Sequence, residues 1–172
     1  HRDLKPSNVL LERLDDWSPK VADFGLAKLL DSDSDATATG SILGTPAYMA
    51  PEQAFGDAKR VGPAADIYSL GAILYECLTG RPPFRGVTIA ETLEQVRSRE
   101  PLAGRQLEPR VPIDLETITH KCLRKEPLQR YANASELIED LTRFLEMKPI
   151  HARREKWSET AWRMCKRYPL AV

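Results

Sequence analysis

Apolar residues fall into two regimes along this chain. Near the start they come in short runs, Val9-Leu10-Leu11 and Lys20-Val21-Ala22, on either side of Asp15-Asp16-Trp17-Ser18-Pro19. Such runs around a turn-rich pentapeptide predict two short strands forming a hairpin. Residues 31–41 contain only Asp, Ser, Ala, Thr and Gly, a polar loop with little to bury. Beyond it the spacing becomes helical. Residues 64–79 are apolar on nearly every face, interrupted mainly by Asp66, Ser69 and Glu76, as in a helix buried all round. Gly62-Pro63 starts that helix and Gly80 stops it. Thr88-Ile89-Ala90-Glu91 is a capping box ahead of Ile89, Leu93 and Val96. A further helix is expected from about Asp114, with Leu115, Ile118 and Cys122 on one face. Asn133 and Glu136 cap another, with the stripe Leu137, Leu141, Phe144 and Leu145 and a stop at Pro149. Residues 152–167 predict a last, basic helix with Trp157, Ala161 and Met164 in register. The fold class that follows is mainly α, with a small β-hairpin.

Composition narrows the setting. The 172 residues are 42% hydrophobic and 29% charged, with formal net charge zero, so no overall field draws the chain to nucleic acid. The charge is uneven, because seven basic and two acidic residues lie between Lys148 and the end. That asymmetry predicts two segments, 1–147 and 148–172. Cys77, Cys122 and Cys165 make no C-x-x-C pair. A disulfide framework or zinc site is therefore not expected, a reducing cytoplasmic setting is, and each thiol reads as a small apolar filler. No signal peptide opens the chain and no apolar run approaches the ~20 residues of a membrane helix. The start at His1 and the rising apolarity of Leu170-Ala171-Val172 give both ends the look of cuts.

The chemistry is concentrated in motifs. His1-Arg2-Asp3-Leu4-Lys5-Pro6-Ser7-Asn8 fits H-R-D-L-x-x-x-N at every fixed position. Asp23-Phe24-Gly25 follows fifteen residues after Asn8, and Ala50-Pro51-Glu52 comes later. A lone Asp-Phe-Gly carries little weight, but the three together, in this order, are very specific. On them, residues 1–147 resemble the C-terminal lobe of eukaryotic-like, bacterial-type Ser/Thr protein kinases. The resemblance implies the helical lobe of the α+β kinase fold, beginning at its catalytic loop, and transfer of the γ-phosphate of Mg·ATP to Ser or Thr of a protein substrate.

Phosphoryl transfer needs in-line placement of a hydroxyl and neutralisation of charge on the moving group. The family pattern makes Asp3 the acceptor of the substrate hydroxyl proton and Lys5 a point charge for the γ-phosphate. It makes Asn8 and Asp23 the Mg²⁺ ligands, Leu10 an apolar floor under adenine, and Thr45 a partner of Asp3 and Lys5 that favours a Ser or Thr acceptor. Lys-Pro-Ser between Asp3 and Asn8, and Gly44-Thr45-Pro46-Ala47-Tyr48, look like the Ser/Thr branch. Singly, a loop Asp or Asn is usually a turn or cap residue; the constellation carries the reading. The pattern also pairs Glu52 with Arg130 and directs Asp66 to backbone N–H groups of the catalytic loop.

Regulation is expected through Arg2, which directly precedes Asp3 and suits a phosphate on the loop. Thr37 and Thr39 are the expected acceptors and Ser41 the runner-up, with trans-autophosphorylation in a dimer as the route. The 172 residues contain no G-x-G-x-x-G loop, no V-A-I-K-like lysine and no candidate for its Glu partner, groups that cover and orient the phosphates. Alone they are expected to transfer phosphate negligibly. The rival reading is a non-catalytic kinase-like scaffold, against which stand intact Asp3, Lys5, Asn8 and Asp23. The basic, aromatic tail suits the cytoplasmic side of a membrane helix beyond residue 172, with a solvated linker as its alternative. Nucleic-acid binding is not expected, since no recognition motif accompanies the charge.

Overall fold

A computed structural model describes residues 1–12, 18–24, 46–56 and 61–152. Of the sequence expectations, Gly25, Thr37, Thr39, Ser41, Thr45, Cys165 and the basic helix from residue 153 onward lie outside them.

A 3-10 turn at Pro6–Asn8 leads into β1 (Val9–Leu11), which pairs antiparallel with β2 (Pro19–Val21). The register sets Val9 against Val21, Leu10 against Lys20 and Leu11 against Pro19. The second strand therefore starts one residue earlier than the apolar run suggests. Pro19 sits at its first position, where a missing N–H costs least. Ala22 still donates its N–H to the Asn8 carbonyl at 2.9 Å.

The rest is helical. After a 3-10 turn at Pro46–Tyr48 come α1 (Pro51–Ala54), α2 (Pro63–Thr79), α3 (Ile89–Ser98), α4 (Gly104–Leu107), α5 (Ile113–Cys122) and α6 (Ala134–Leu145). Helix α2 begins after Gly62 and ends at Gly80, whose φ of 76° turns the chain into the left-handed region. It is buried on opposite sides. Tyr68, Ala72 and Tyr75 pack with Met49, Ala50, Phe84, Leu93, Val96 and Leu123. Ile67 faces a second cluster made by Ile118, Cys122, Tyr131, Leu137 and Ile150. The helix apolar all round is thus the spine between two halves of the core.

Caps follow the chemistry at the chain's Thr and Asn. Thr88 accepts the Glu91 N–H at 3.1 Å, while the Glu91 carboxylate reaches back one residue further than a strict box, to the Val87 N–H at 2.8 Å. Asn133 and Glu136 repeat the device, with Glu136 accepting from Ala132. The end of α6 differs from expectation. It stops at Leu145, four residues before Pro149, because Met147 takes φ 56°. Lys148 N–H then bonds the Arg143 carbonyl and Met147 N–H the Phe144 carbonyl, a Schellman closure built without glycine. Packing continues past residue 147, where the expected segment boundary lies. Ile150 and Ala152 are buried, and the His151 and Ala152 N–H groups donate to fully buried Asp140. Cys77 corrects another expectation: it is exposed on α2, whereas Cys122 is a buried core filler. Among the described residues no helix is long and apolar enough to cross a membrane.

Candidate active site

The loop before β1 is tied down from beneath. Asp66, in the first turn of α2, accepts the His1 backbone nitrogen at 2.8 Å and the Arg2 N–H at 2.9 Å. Gln53 in α1 donates to the Arg2 carbonyl at 2.8 Å. Both peptide groups around Arg2 are therefore held by side chains of the helical core. Arg2 itself is left-handed, at φ 69°, a conformation that a bulky L-residue keeps only where its surroundings dictate it.

Those anchors present Asp3. Lys5 Nζ lies 2.9 Å from Asp3 Oδ2, with both side chains partly exposed. Asn8, buried, donates its Nδ2 to the Asp3 carbonyl at 2.9 Å and approaches Oδ2 at 3.5 Å. A carboxylate, an ammonium and a carboxamide are thus brought together within six residues by the 3-10 turn. With Nδ2 committed to Asp3, the Asn8 amide oxygen is left as the atom able to meet a cation.

Asp23 reaches the same region through the hairpin. The Ala22-to-Asn8 backbone bond fixes the residue before Asp23 against Asn8. Asp23 takes φ 57° and is exposed, so its carboxylate stands at the surface. His1 buttresses this side: Nε2 meets the Ala22 carbonyl at 2.8 Å, and its ring lies 4.8 Å from the Phe24 ring. Leu10 is 54% exposed on β1, an apolar side chain available to a flat ligand. Among the described residues no three His, Cys, Asp or Glu side chains converge on a metal position. One carboxylate and one amide oxygen nonetheless suit Mg²⁺, which keeps several waters and takes its remaining ligands from substrate phosphates.

Helix α1 is locked to the core by an ion pair. Arg130 spends all five donors. NH1 and NH2 each reach a Glu52 oxygen at 2.7 Å, and the others bond the carbonyls of Arg124, Ala64 and Lys125 at 2.8–2.9 Å. Both partners are buried. Upstream, Tyr48 donates to Glu76 at 2.5 Å. Burial first, and that bond second, raise the Tyr48 phenol well above its ordinary pKa. A cavity of about 390 Å³ opens beside it, lined by Pro46, Tyr48, Glu76, Pro82, Val87 and Ile89 among others.

Asp3, Lys5 and Asn8 are accordingly in contact, with Asp23 two residues beyond the strand that pairs with β1. Thr45 lies outside the described residues. Gln53 and the Tyr48–Glu76 pair carry no signal in the sequence beyond their residue types, and His1, a fixed position of the motif, gives no sign of its partner across the hairpin. Each acts through a partner at least 21 residues away, which no local pattern can announce.

Comparison with known proteins is consistent across three sources. A family model described as protein kinase domain matches residues 1–141. The serine/threonine-protein kinase Pkn1 of Myxococcus xanthus is 44% identical over 135 residues, 77% of this chain and 19% of that protein. Serine/threonine-protein kinase PknB of Mycobacterium leprae is 38% identical over 152 residues, 88% of this chain and 24% of that protein. The chain thus spans about a quarter or less of the length of these relatives. Among solved structures, residues 1–466 of Rad53 in complex with AMP-PNP match 80% of this chain and 32% of theirs, at TM-score 0.62 and 29% identity.

Proposed function

Because this chain belongs to the protein kinase domain family, we propose that the full-length protein transfers the γ-phosphate of ATP to serine or threonine of a protein substrate. The observation that carries the reading is the Asp3–Lys5–Asn8 cluster, held on α2 by Asp66 and paired through the hairpin with Asp23. In this reading Asp3 accepts the hydrogen bond and then the proton of the incoming hydroxyl. Lys5, already 2.9 Å from Asp3, pairs with the oxygens of the transferred group. Asn8 and Asp23 would hold Mg²⁺, which would supply charge neutralisation for the phosphates. Leu10 covers one face of the adenine. The family pattern makes Thr45 a residue that favours a Ser or Thr acceptor, and in this reading the substrate segment passes by the cavity that Pro46, Ala47 and Tyr48 line. The relatives' names support the Ser/Thr acceptor class.

Residues 1–172 alone supply one side of the nucleotide site, so negligible transfer is proposed for them in isolation. The test is transfer of labelled γ-phosphate from Mg·ATP to a protein acceptor by the full-length protein. Asp3→Asn should lower kcat by about 10²–10⁴-fold, the usual contribution of a positioned general base, while leaving the fold intact. Transfer that survives Asp3→Asn unchanged would remove Asp3 from the chemistry. Transfer absent from the wild-type protein would favour the scaffold reading.

A further inference from the structure

Lys125 is an unusual residue in the helical half. It follows α5, in the stretch that leads to Arg130. Its Nζ donates to the Val96 carbonyl in α3 at 2.7 Å and stands 4.1 Å from the centroid of the Phe84 ring. Phe84 and Val96 are both buried. Between them run the loop and first turns of α3, residues 85–92, which form one wall of the 390 Å³ cavity. Pro46, Ala47 and Tyr48 line the same cavity. One ammonium group therefore grips both ends of a cavity wall. Its own backbone carbonyl accepts from Arg130 NH2 at 2.9 Å, and Arg130 NH2 also bonds Glu52, in the helix that follows residues 46–48, at 2.7 Å.

We propose that Lys125 is a positioning residue for the protein substrate: it clasps Phe84 to the end of α3 and so holds the 85–92 wall at its working distance from residues 46–48. The proposal rests on the kinase reading, in which substrate passes along that stretch. It has a built-in pH signature. Burial is the main cause that brings the Lys125 ammonium down from 10.5 to about 8; Arg130 adds to the lowering and Glu100 opposes it. Above that pH the amine still donates to Val96, but it no longer offers a cation to the Phe84 face. The clasp loosens at one end only.

Full-length protein and two variants, Lys125→Arg and Lys125→Met, test this at pH 7 and pH 9. For wild type, KM for the protein substrate should rise about threefold between the two pH values, the scale of one cation–π contact, with KM for ATP and kcat unmoved. Lys125→Arg keeps its charge and should show no such rise. Lys125→Met should show the raised KM at both pH values. A second readout needs no activity: amide hydrogen exchange at pH 7 should be faster across residues 84–96 in Lys125→Met than in wild type or Lys125→Arg. Exchange unchanged in Lys125→Met overturns the clasp whatever the kinetics. Faster exchange with an unchanged substrate KM overturns the positioning role. Faster exchange in a protein that transfers no phosphate overturns the kinase reading and, with it, the substrate role, while leaving the clasp.

Discussion

At the scale of single residues, Arg130 shows how a buried charge is tolerated. Its guanidinium has no exposed surface, yet each donor has an acceptor, two on Glu52 and three on backbone carbonyls. Removing one partner strands the other, which costs about 3–5 kcal/mol for a buried pair. Arg130→Met should therefore lower the stability of the domain by that amount in urea unfolding. Adding Glu52→Leu removes the stranded carboxylate but not the three orphaned carbonyls, each of which carries a desolvation cost. The double variant should recover part of the loss and remain about 2 kcal/mol below wild type. Full recovery would mean that the carbonyl bonds contribute nothing. The pair was foreseeable only through family resemblance, since 78 residues separate its members. Although the roles given to them come through the same resemblance, Asp3, Lys5 and Asn8 lie within six residues, so their motif was local and readable. Gln53 was not: nothing in an Ala-Pro-Glu-Gln stretch says that its amide supports the carbonyl of Arg2.

At the scale of elements, the helices were readable because their caps and apolar stripes repeat within a few residues. The misreadings have local causes. Pro149 is a valid stop, but Met147 adopts a left-handed φ and closes α6 earlier. Cys77 sits among apolar neighbours in sequence, yet its place on α2 faces solvent. What no single helix reveals is how closely two of them meet. Gly71 lies where α2 crosses α5, and a Cβ built there would stand 2.4 Å from Cys122 Cβ. Neither atom can rotate away, so the helices must separate or the cysteine backbone must shift. Gly71→Ala should thus destabilise by about 1–3 kcal/mol, the range for overpacking a closed core, although alanine favours a helix over glycine by up to ~1 kcal/mol. Pairing it with Cys122→Gly should relieve the clash. A Gly71→Ala protein as stable as wild type would show that the crossing has slack.

At the scale of the whole molecule, the buried core couples stability to alkaline pH through two opposing groups. Burial, above all, pushes the Cys122 thiol from 9.0 up to about 12. The unfolded chain releases that proton near pH 9 while the folded one retains it. Stability is then full below pH 9 and falls as pH rises toward 12, by at most about 1.4 kcal/mol per pH unit. Burial raises Tyr68 and Tyr75 in the same direction from 10.0, and raises Tyr48 with help from Glu76. Lys125 has the opposite sign. Its folded form gives up a proton near pH 8 and its unfolded form near 10.5, so the unfolded state binds more protons across that window and stability rises with pH. The two effects overlap between about pH 9 and 10.5. The urea midpoint of the wild-type protein should accordingly rise between about pH 8 and 9, stay nearly level from about 9 to 10 and drop above about 10.5, where only the thiol and phenols still contribute. Lys125→Met removes the rising component, and its midpoint should begin to fall from pH 9. Cys122→Ala should delay the fall in either background. A Lys125→Met curve parallel to wild type through this range would mean that the ammonium is as well solvated between Phe84 and Val96 as it is in the unfolded chain.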